Sequence, residues 1–363
     1  MTSEEKVKLI SEVGEEIVGA DELKVLIDSG KPLIAYDGFE PSGKLHIAQG
    51  LLRTININKM IKAGALFKMF VADWHALANN KMGGDLSRIQ LVGRYFIEVW
   101  KACGLDLRYV EFVWASELVK TDGYWLTVIK IAKENSVNRI IRCSEIMGRS
   151  ETETLSAAQI LYPCMQTADI YFLGANITQL GMDQRKVSML AREVGEKIGF
   201  WKPVVVSHHM LMGLGKPETD ITNPLERTIK LKMSKSLPDT SIFMTDAPAD
   251  IERKINKAYC PPGEIKDNPI LEYFRYIIFE REELRENGQL TIKRSQNHGG
   301  NLDFNNYREL EDLYAKGDLH PADLKSAAVT YIDQLLAPVR KHFEDDPAAK
   351  NLKESVESFT VTR

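Results

Sequence analysis

Apolar residues recur at helical spacing through residues 4–29. Ile10, Val13, Ile17 and Val18 form one stripe and Leu23, Leu26 and Ile27 continue it, which predicts an amphipathic helical segment stopped by Gly30. Residues 31–39 read as a short buried strand and Glu40-Pro41-Ser42-Gly43-Lys44 as a turn. A helix is predicted to open near His46 and to run through Leu51, Leu52, Ile55 and Met60 to the Ala63-Gly64 stop. The rhythm then repeats. Residues 66–73 read as a strand closing in Asp73-Trp74-His75, 86–101 as a helix and 107–114 as a strand. Helical spacing covers 125–146 and 156–168, a short apolar run follows at 170–173, 183–198 is helical, and 204–208 is a β-branched strand. Such alternation argues for an α/β fold with a parallel sheet.

The texture changes after Lys235. Residues 248–257 predict a charged helix, Cys260-Pro261-Pro262-Gly263 breaks it, and 271–279 is apolar and helical. Residues 290–293 and 300–304 read as extended, 306–316 and 321–345 as helical. The stretch from 345 to 363 has few large apolar residues and is expected to fray. A parallel-sheet domain over 1–239 and a mainly helical one over 240–363 are therefore predicted.

Composition adds bounds. The 363 residues are 44% hydrophobic and 27% charged, enough for a sizeable core. A net charge of −4 neither advertises nor excludes a nucleic-acid partner, since a local basic surface can be offset elsewhere. The cysteines Cys103, Cys143, Cys164 and Cys260 are far apart and form no CxxC pair, so a reducing, cytoplasmic setting without a disulfide framework or zinc knuckle is expected. No cationic start with an apolar run opens the chain, and no apolar run reaches the roughly 18 residues of a membrane span.

Two segments carry candidate chemistry. Residues 40–50 place a glycine turn before a helix start, where Gly43 allows close backbone approach and helix amides favour anions. His46 can donate to a phosphoryl oxygen, and Gln49 shares its helical face. No Walker A pattern is present. Lys232-Met233-Ser234-Lys235-Ser236 sets two lysines around small residues, a loop able to wrap a polyphosphate.

Together these segments resemble the two signatures of the class I aminoacyl-tRNA synthetases. The second is intact at 232–236. The first reads His46-Ile47-Ala48-Gln49, with glutamine where the signature has a second histidine. The resemblance narrows to the tyrosyl-tRNA synthetases of the archaeal and eukaryotic type through residues 36–44, 161–169, 181–186 and 254–261. It implies a Rossmann-like catalytic domain with an N-terminal helix and an inserted connective segment over 1–239, and a helical anticodon-binding domain over 240–363. It implies activation of L-tyrosine with ATP to tyrosyl-adenylate, then transfer to tRNA(Tyr), by a cytoplasmic homodimer, with Mg2+ accompanying ATP and no metal held by the protein. His46, Gln49, Lys232 and Lys235 would be catalytic. Gly43, Asp183 and Met233 would join them in holding ATP, Asp183 at the ribose. Tyr36 and Asp169 would bind the phenol hydroxyl, and Tyr162, Gln166 and Gln184 the α-amino group. His298 and Asp323 would read the anticodon. A site that hydrogen-bonds a hydroxyl rejects phenylalanine strongly.

Other residues stand out. His75 lies near the expected pocket, residues 81–85 read as a loop near the tRNA acceptor end, and Arg139, Arg142 and Arg149 form a basic helical stretch able to hold phosphates. His208-His209 lacks further metal ligands at suitable spacing. The apolar run 155–165 is a candidate contribution to the dimer interface. Three alternatives stay open: the sister tryptophanyl enzymes, a non-catalytic RNA-binding or signalling paralogue, and a small-molecule nucleotidylyltransferase.

Overall fold

The uninterrupted apolar and β-branched runs do form central strands. In the computed structural model, which describes residues 1–148, 154–217 and 224–359, six strands make one sheet: β1 (Gly14–Val18), β2 (Leu33–Phe39), β3 (Ala65–Val71), β4 (Val110–Trp114), β5 (Ile177–Gly181) and β6 (Val204–His208). Their order is β1-β6-β5-β2-β3-β4. All neighbours are parallel except β1, which lies antiparallel to β6. Every residue of β5 and β6 is buried, as expected for strands covered on both faces. The sheet is the predicted α/β, Rossmann-like arrangement. Its crossover direction reverses between β2 and β5, and ligands of such sheets bind at that switch point, beyond the carboxyl ends of the strands.

Several elements differ from the sequence reading. The predicted helix over 4–29 is two helices, Ser3–Val13 and Ala20–Asp28, with β1 between them. Ile17 and Val18 fit a helical stripe, but their backbone pairs with Val206 and Val205 and so closes an edge of the sheet. Asp73-Trp74-His75 opens the helix Asp73–Ala78 instead of ending β3. The span 125–146 is broken into Tyr124–Lys133, Val137–Ile141 and Ser144–Met147, with Ser136 capping the second piece through Arg139 N–H. The short apolar run 170–173 is the last turn and cap of the helix Ala157–Phe172. The expected fraying after 345 is also corrected. Asp346 caps a further helix, Pro347–Glu357, which packs on the helix Leu86–Ala102 and buries Ala349 and Val356.

The C-terminal region holds the helices Pro248–Lys257, Pro269–Tyr276, Tyr307–Ala315 and Pro321–Asp345, with a small hairpin of β7 (Leu290–Ile292) and β8 (Leu302–Phe304). One apolar core runs without a break from Leu33 and Phe67 under the sheet to Leu324 and Leu336 in the long helix. Among the described residues no helix is long and apolar enough to cross a membrane.

Candidate active site

The two candidate segments are laced together by backbone. His46 and Phe243 form an isolated antiparallel bridge, Ile47 N–H donates to Ile242 O at 2.9 Å, and Met244 N–H donates to Leu45 O at 2.8 Å. Two glycines make this approach possible. Gly43 takes a φ of +114°, which an L side chain rarely adopts, and a Cβ on Gly50 would stand 2.2 Å from Met244 Sδ. The helix after His46 opens in a wide π turn, Ala48–Leu52, before the regular helix Arg53–Lys62, a distortion that recurs at functional sites. Trp100 Nε1 donates to Gln49 O at 3.0 Å and fixes that turn, while Gln49 Oε1 is buried with no partner among the described residues.

The 232–236 loop is tied at both ends. Lys232 bridges to Met212, and Met233 N–H donates to Leu211 O at 2.8 Å while its side chain packs into the core. Ser241 Oγ donates to Ser234 O at 2.7 Å. The two lysines face different partners: Lys232 Nζ lies 2.5 Å from Asp183 Oδ2, and Lys235 Nζ donates to Ser42 Oγ at 3.2 Å and stands 4.7 Å over the Phe96 ring. Burial opposes ionisation of Asp183, but Lys232 more than offsets it and its carboxyl titrates below the usual range. Burial and then the charges of Lys235, Arg53 and Lys232 hold His46 well below an ordinary histidine, so it acts as a neutral imidazole. Its Nδ1 is buried and has no partner among the described residues.

A second cluster lies alongside, between β2 and the helix Ala157–Phe172. Tyr36 is buried, and among the described residues its hydroxyl makes no hydrogen bond. Desolvation, then Asp169 and Asp37, push its phenol well up, so it stays a neutral hydroxyl. Asp169 is wholly buried. Its Oδ1 accepts from Tyr124 Oη at 2.7 Å, and His75 Nε2 lies 2.9 Å from its Oδ2. Burial lowers the His75 pKa, yet Asp169 outweighs it and the net shift is upward. Two turns of helix away, Tyr162 Oη donates to Glu40 Oε1 at 2.7 Å. Gln166 Nε2 donates to Gln184 Oε1 at 3.1 Å, Gln184 Nε2 donates to Ile146 O at 2.9 Å, and Gln166 Oε1 is buried with no partner among the described residues. Glu40 is further held by Asn79 at 3.1 Å.

Comparison with known proteins decides the family. Residues 28–337 match the family "tRNA synthetases class I (W and Y)". Tyrosine--tRNA ligase 1, cytoplasmic, of Arabidopsis thaliana is 48% identical over 363 residues, covering 99% of this chain and 90% of that protein. The chain belongs to the class I tyrosyl-tRNA synthetases. Two solved synthetases of this kind superpose on it. That of Pyrococcus horikoshii, complexed with L-tyrosine, has a TM-score of 0.89 at 37% identity and covers 98% of this chain and 100% of its own. That of Leishmania major, in complex with tyrosinol, has a TM-score of 0.88 at 42% identity and covers 99% of this chain and 61% of its own.

Within this synthetase fold the remaining sequence-derived residues lie apart from the two clusters. Asp323 stands in the first turn of the helix Pro321–Asp345. The His298 side chain and Arg149 lie outside the described residues. Arg139 and Arg142 line a surface cavity of about 250 Å3 with Arg185, Lys186, Met189 and Glu193. His208 Nδ1 is engaged by Gln179 Nε2, and His209 sits between Glu15 and Glu272. Sequence reasoning passed over Tyr124, Glu40, Asn79 and the Asp37–Arg53 pair (2.9 Å). Glu40 lay inside a quoted motif. Tyr124 had no local signal, since its partner Asp169 is 45 positions on.

Proposed function

We propose that the two clusters are the ATP and tyrosine halves of one adenylation site. The observation that carries this is the set of buried polar atoms left without partners among the described residues. The Tyr36 hydroxyl, Gln166 Oε1 and His46 Nδ1 are such atoms, and buried polar groups are costly unless a ligand completes them. A phenol hydroxyl can both accept and donate, and so satisfies Tyr36 and Asp169 together. An α-ammonium offers three donors, which suits Gln166 Oε1, Gln184 Oε1 and the Tyr162 oxygen.

The tyrosine carboxylate attacks the α-phosphorus of ATP, and pyrophosphate departs. A 3′-terminal ribose hydroxyl of tRNA(Tyr) then attacks the adenylate carbonyl and releases AMP. No protein nucleophile is required. Lys232 and Lys235 neutralise charge on the transferring phosphate, and His46 and Gln49 donate to its oxygens. Gly43 leaves room for the phosphates, Asp183 accepts from the ribose, and Met233 contributes through its backbone. Mg2+ enters as part of the ATP substrate.

Residues 240–363 serve as the anticodon-binding domain, with Asp323 accepting from the donor edge of guanine and His298 nearby. The basic cavity at Arg139, Arg142, Arg185 and Lys186 suits RNA phosphates and lies on the tyrosine side of the chain. The homodimer reading draws support from Trp125, Leu126, Ile129, Val137 and Leu161, large apolar side chains exposed on helices that pack together. A cytoplasmic location accords with the name of the Arabidopsis relative.

ATP–pyrophosphate exchange with each amino acid tests the reading, and only tyrosine should support it. Exchange with tryptophan instead, or with none, would overturn it. Asp323→Ala is expected to spare exchange and impair tRNA charging; a loss of exchange would sink the domain assignment.

A further inference from the structure

The chemistry above uses no residue of 254–261, one of the stretches that carry the resemblance. Lys254 shows what that stretch can do. It lies in the helix Pro248–Lys257 and is only 4% exposed. Its ammonium donates to Ser241 O at 2.8 Å and Asp246 Oδ2 at 2.5 Å, and stands 4.9 Å over the Phe243 ring. Each contact leads to a signature segment. Asp246 Oδ2 also accepts from Phe243 N–H at 2.9 Å, and Phe243 is the bridge partner of His46. Ser241, whose carbonyl Lys254 grips, uses its hydroxyl to hold Ser234 O, between Lys232 and Lys235. From the far side Arg340 Nη1 donates to Asp246 O at 3.2 Å.

We propose that Lys254 is a positioning residue for adenylate formation: by fixing residues 241–246 it sets both signature segments against each other without touching substrate. The proposal rests on the reading that Lys232 and Lys235 stabilise the transferring phosphate. A purely structural role would be served as well by an apolar side chain, since a buried ion pair is a weak source of stability. What an apolar side chain cannot do is hold the Ser241 carbonyl and the Asp246 carboxylate at once. Small displacements of reacting groups are expensive, about a hundredfold in rate for 1 Å.

Lys254→Met tests this by exchange kinetics. We expect kcat to fall about tenfold or more while KM for tyrosine stays within about twofold, because the tyrosine cluster sits on β2 and the helix Ala157–Phe172. Lys254→Arg should restore most of the rate. Lys254→Met leaves Asp246 buried and unpaired, so Lys254→Met with Asp246→Asn is measured beside it; that pair removes the stray charge but not the loss of grip on Ser241, and should remain slow. A folded variant with wild-type kcat overturns the proposal. So does a rise in KM for tyrosine that matches the loss in kcat, or failure of both variants to fold, which would make the residue structural. Lys235→Ala is run in parallel. Unchanged exchange there would overturn the reading of the second signature itself. Loss there with full activity in Lys254→Met would overturn only the positioning role.

Discussion

The Lys235 ammonium is placed where its charge is disfavoured. Burial and the neighbouring Lys81 bring its pKa down to about 7, with Glu40 offsetting only part of the shift. A lysine depressed in this way is protonated below about 7 and neutral above it. Since kcat/KM reads the free enzyme, kcat/KM for ATP should decline as the pH rises through about 7, and Lys235→Arg, cationic throughout, should flatten that limb. Exchange measured from about pH 6 to 9 checks it, and a flat wild-type profile would count against the ammonium's role. Tyr124 offers a second test. Tyr124→Phe leaves Asp169 Oδ1 buried without its donor, at a cost of roughly 1–3 kcal/mol. With Asp169 no longer aimed by Tyr124, KM for tyrosine should rise about fivefold or more with little change for ATP, and equal effects on both substrates would contradict the assignment of Asp169. Residues with a shared local motif, such as His46, Lys232 and Gln166, stand out in the sequence. Tyr124 does not, because the contact that gives it meaning joins distant helices.

At the scale of elements, the close packing of Gly50 against Met244 joins the π turn to the segment after the second signature. Gly50→Ala should drive these apart at a cost of about 1–3 kcal/mol and lower both the melting temperature and exchange. Met244→Ala in the same chain, by vacating the space, should recover part of each; no recovery would mean that the glycine acts through its backbone alone. The strand 204–208 was readable because its β-branched residues are buried on both faces, and helix 248–257 because its charges leave one apolar stripe of Ile251 and Ile255. β1 was not readable. Ile17 and Val18 suit a helix as well as a strand, and the choice is made by hydrogen bonds to β6. Pro347–Glu357 was missed for a related reason: its few apolar residues suffice only because the helix Leu86–Ala102 receives them, and Lys44 pairs with Glu357 at 3.6 Å.

Across the whole molecule, His209 joins the edge of the sheet to the C-terminal helices. It lies 3.3 Å from Glu15 in β1 and 3.1 Å from Glu272 in the helix Pro269–Tyr276, and stacks 4.2 Å from the Tyr276 ring. Burial would lower its pKa, but the two carboxylates outweigh that and raise it to about 9. A raised histidine contributes stability that is full below its unfolded value near 6.5 and is lost as the pH climbs to about 9. The contribution is at most about 3 kcal/mol. Thermal melts of His209→Gln should therefore be lower near neutrality and flatter between about pH 7 and 9 than those of the unaltered chain, and parallel profiles would refute the clamp. The antiparallel seat of β1 also bears on the order of events during synthesis. Its partner strand is encoded about 190 residues downstream, so at roughly 5–20 residues per second the nascent β1 waits on the order of 10–40 s. Throughout that interval β1 keeps an unpaired edge that other nascent chains can meet, while Ser3–Val13 finds its neighbours, the helices Ala20–Asp28 and Arg53–Lys62, much earlier.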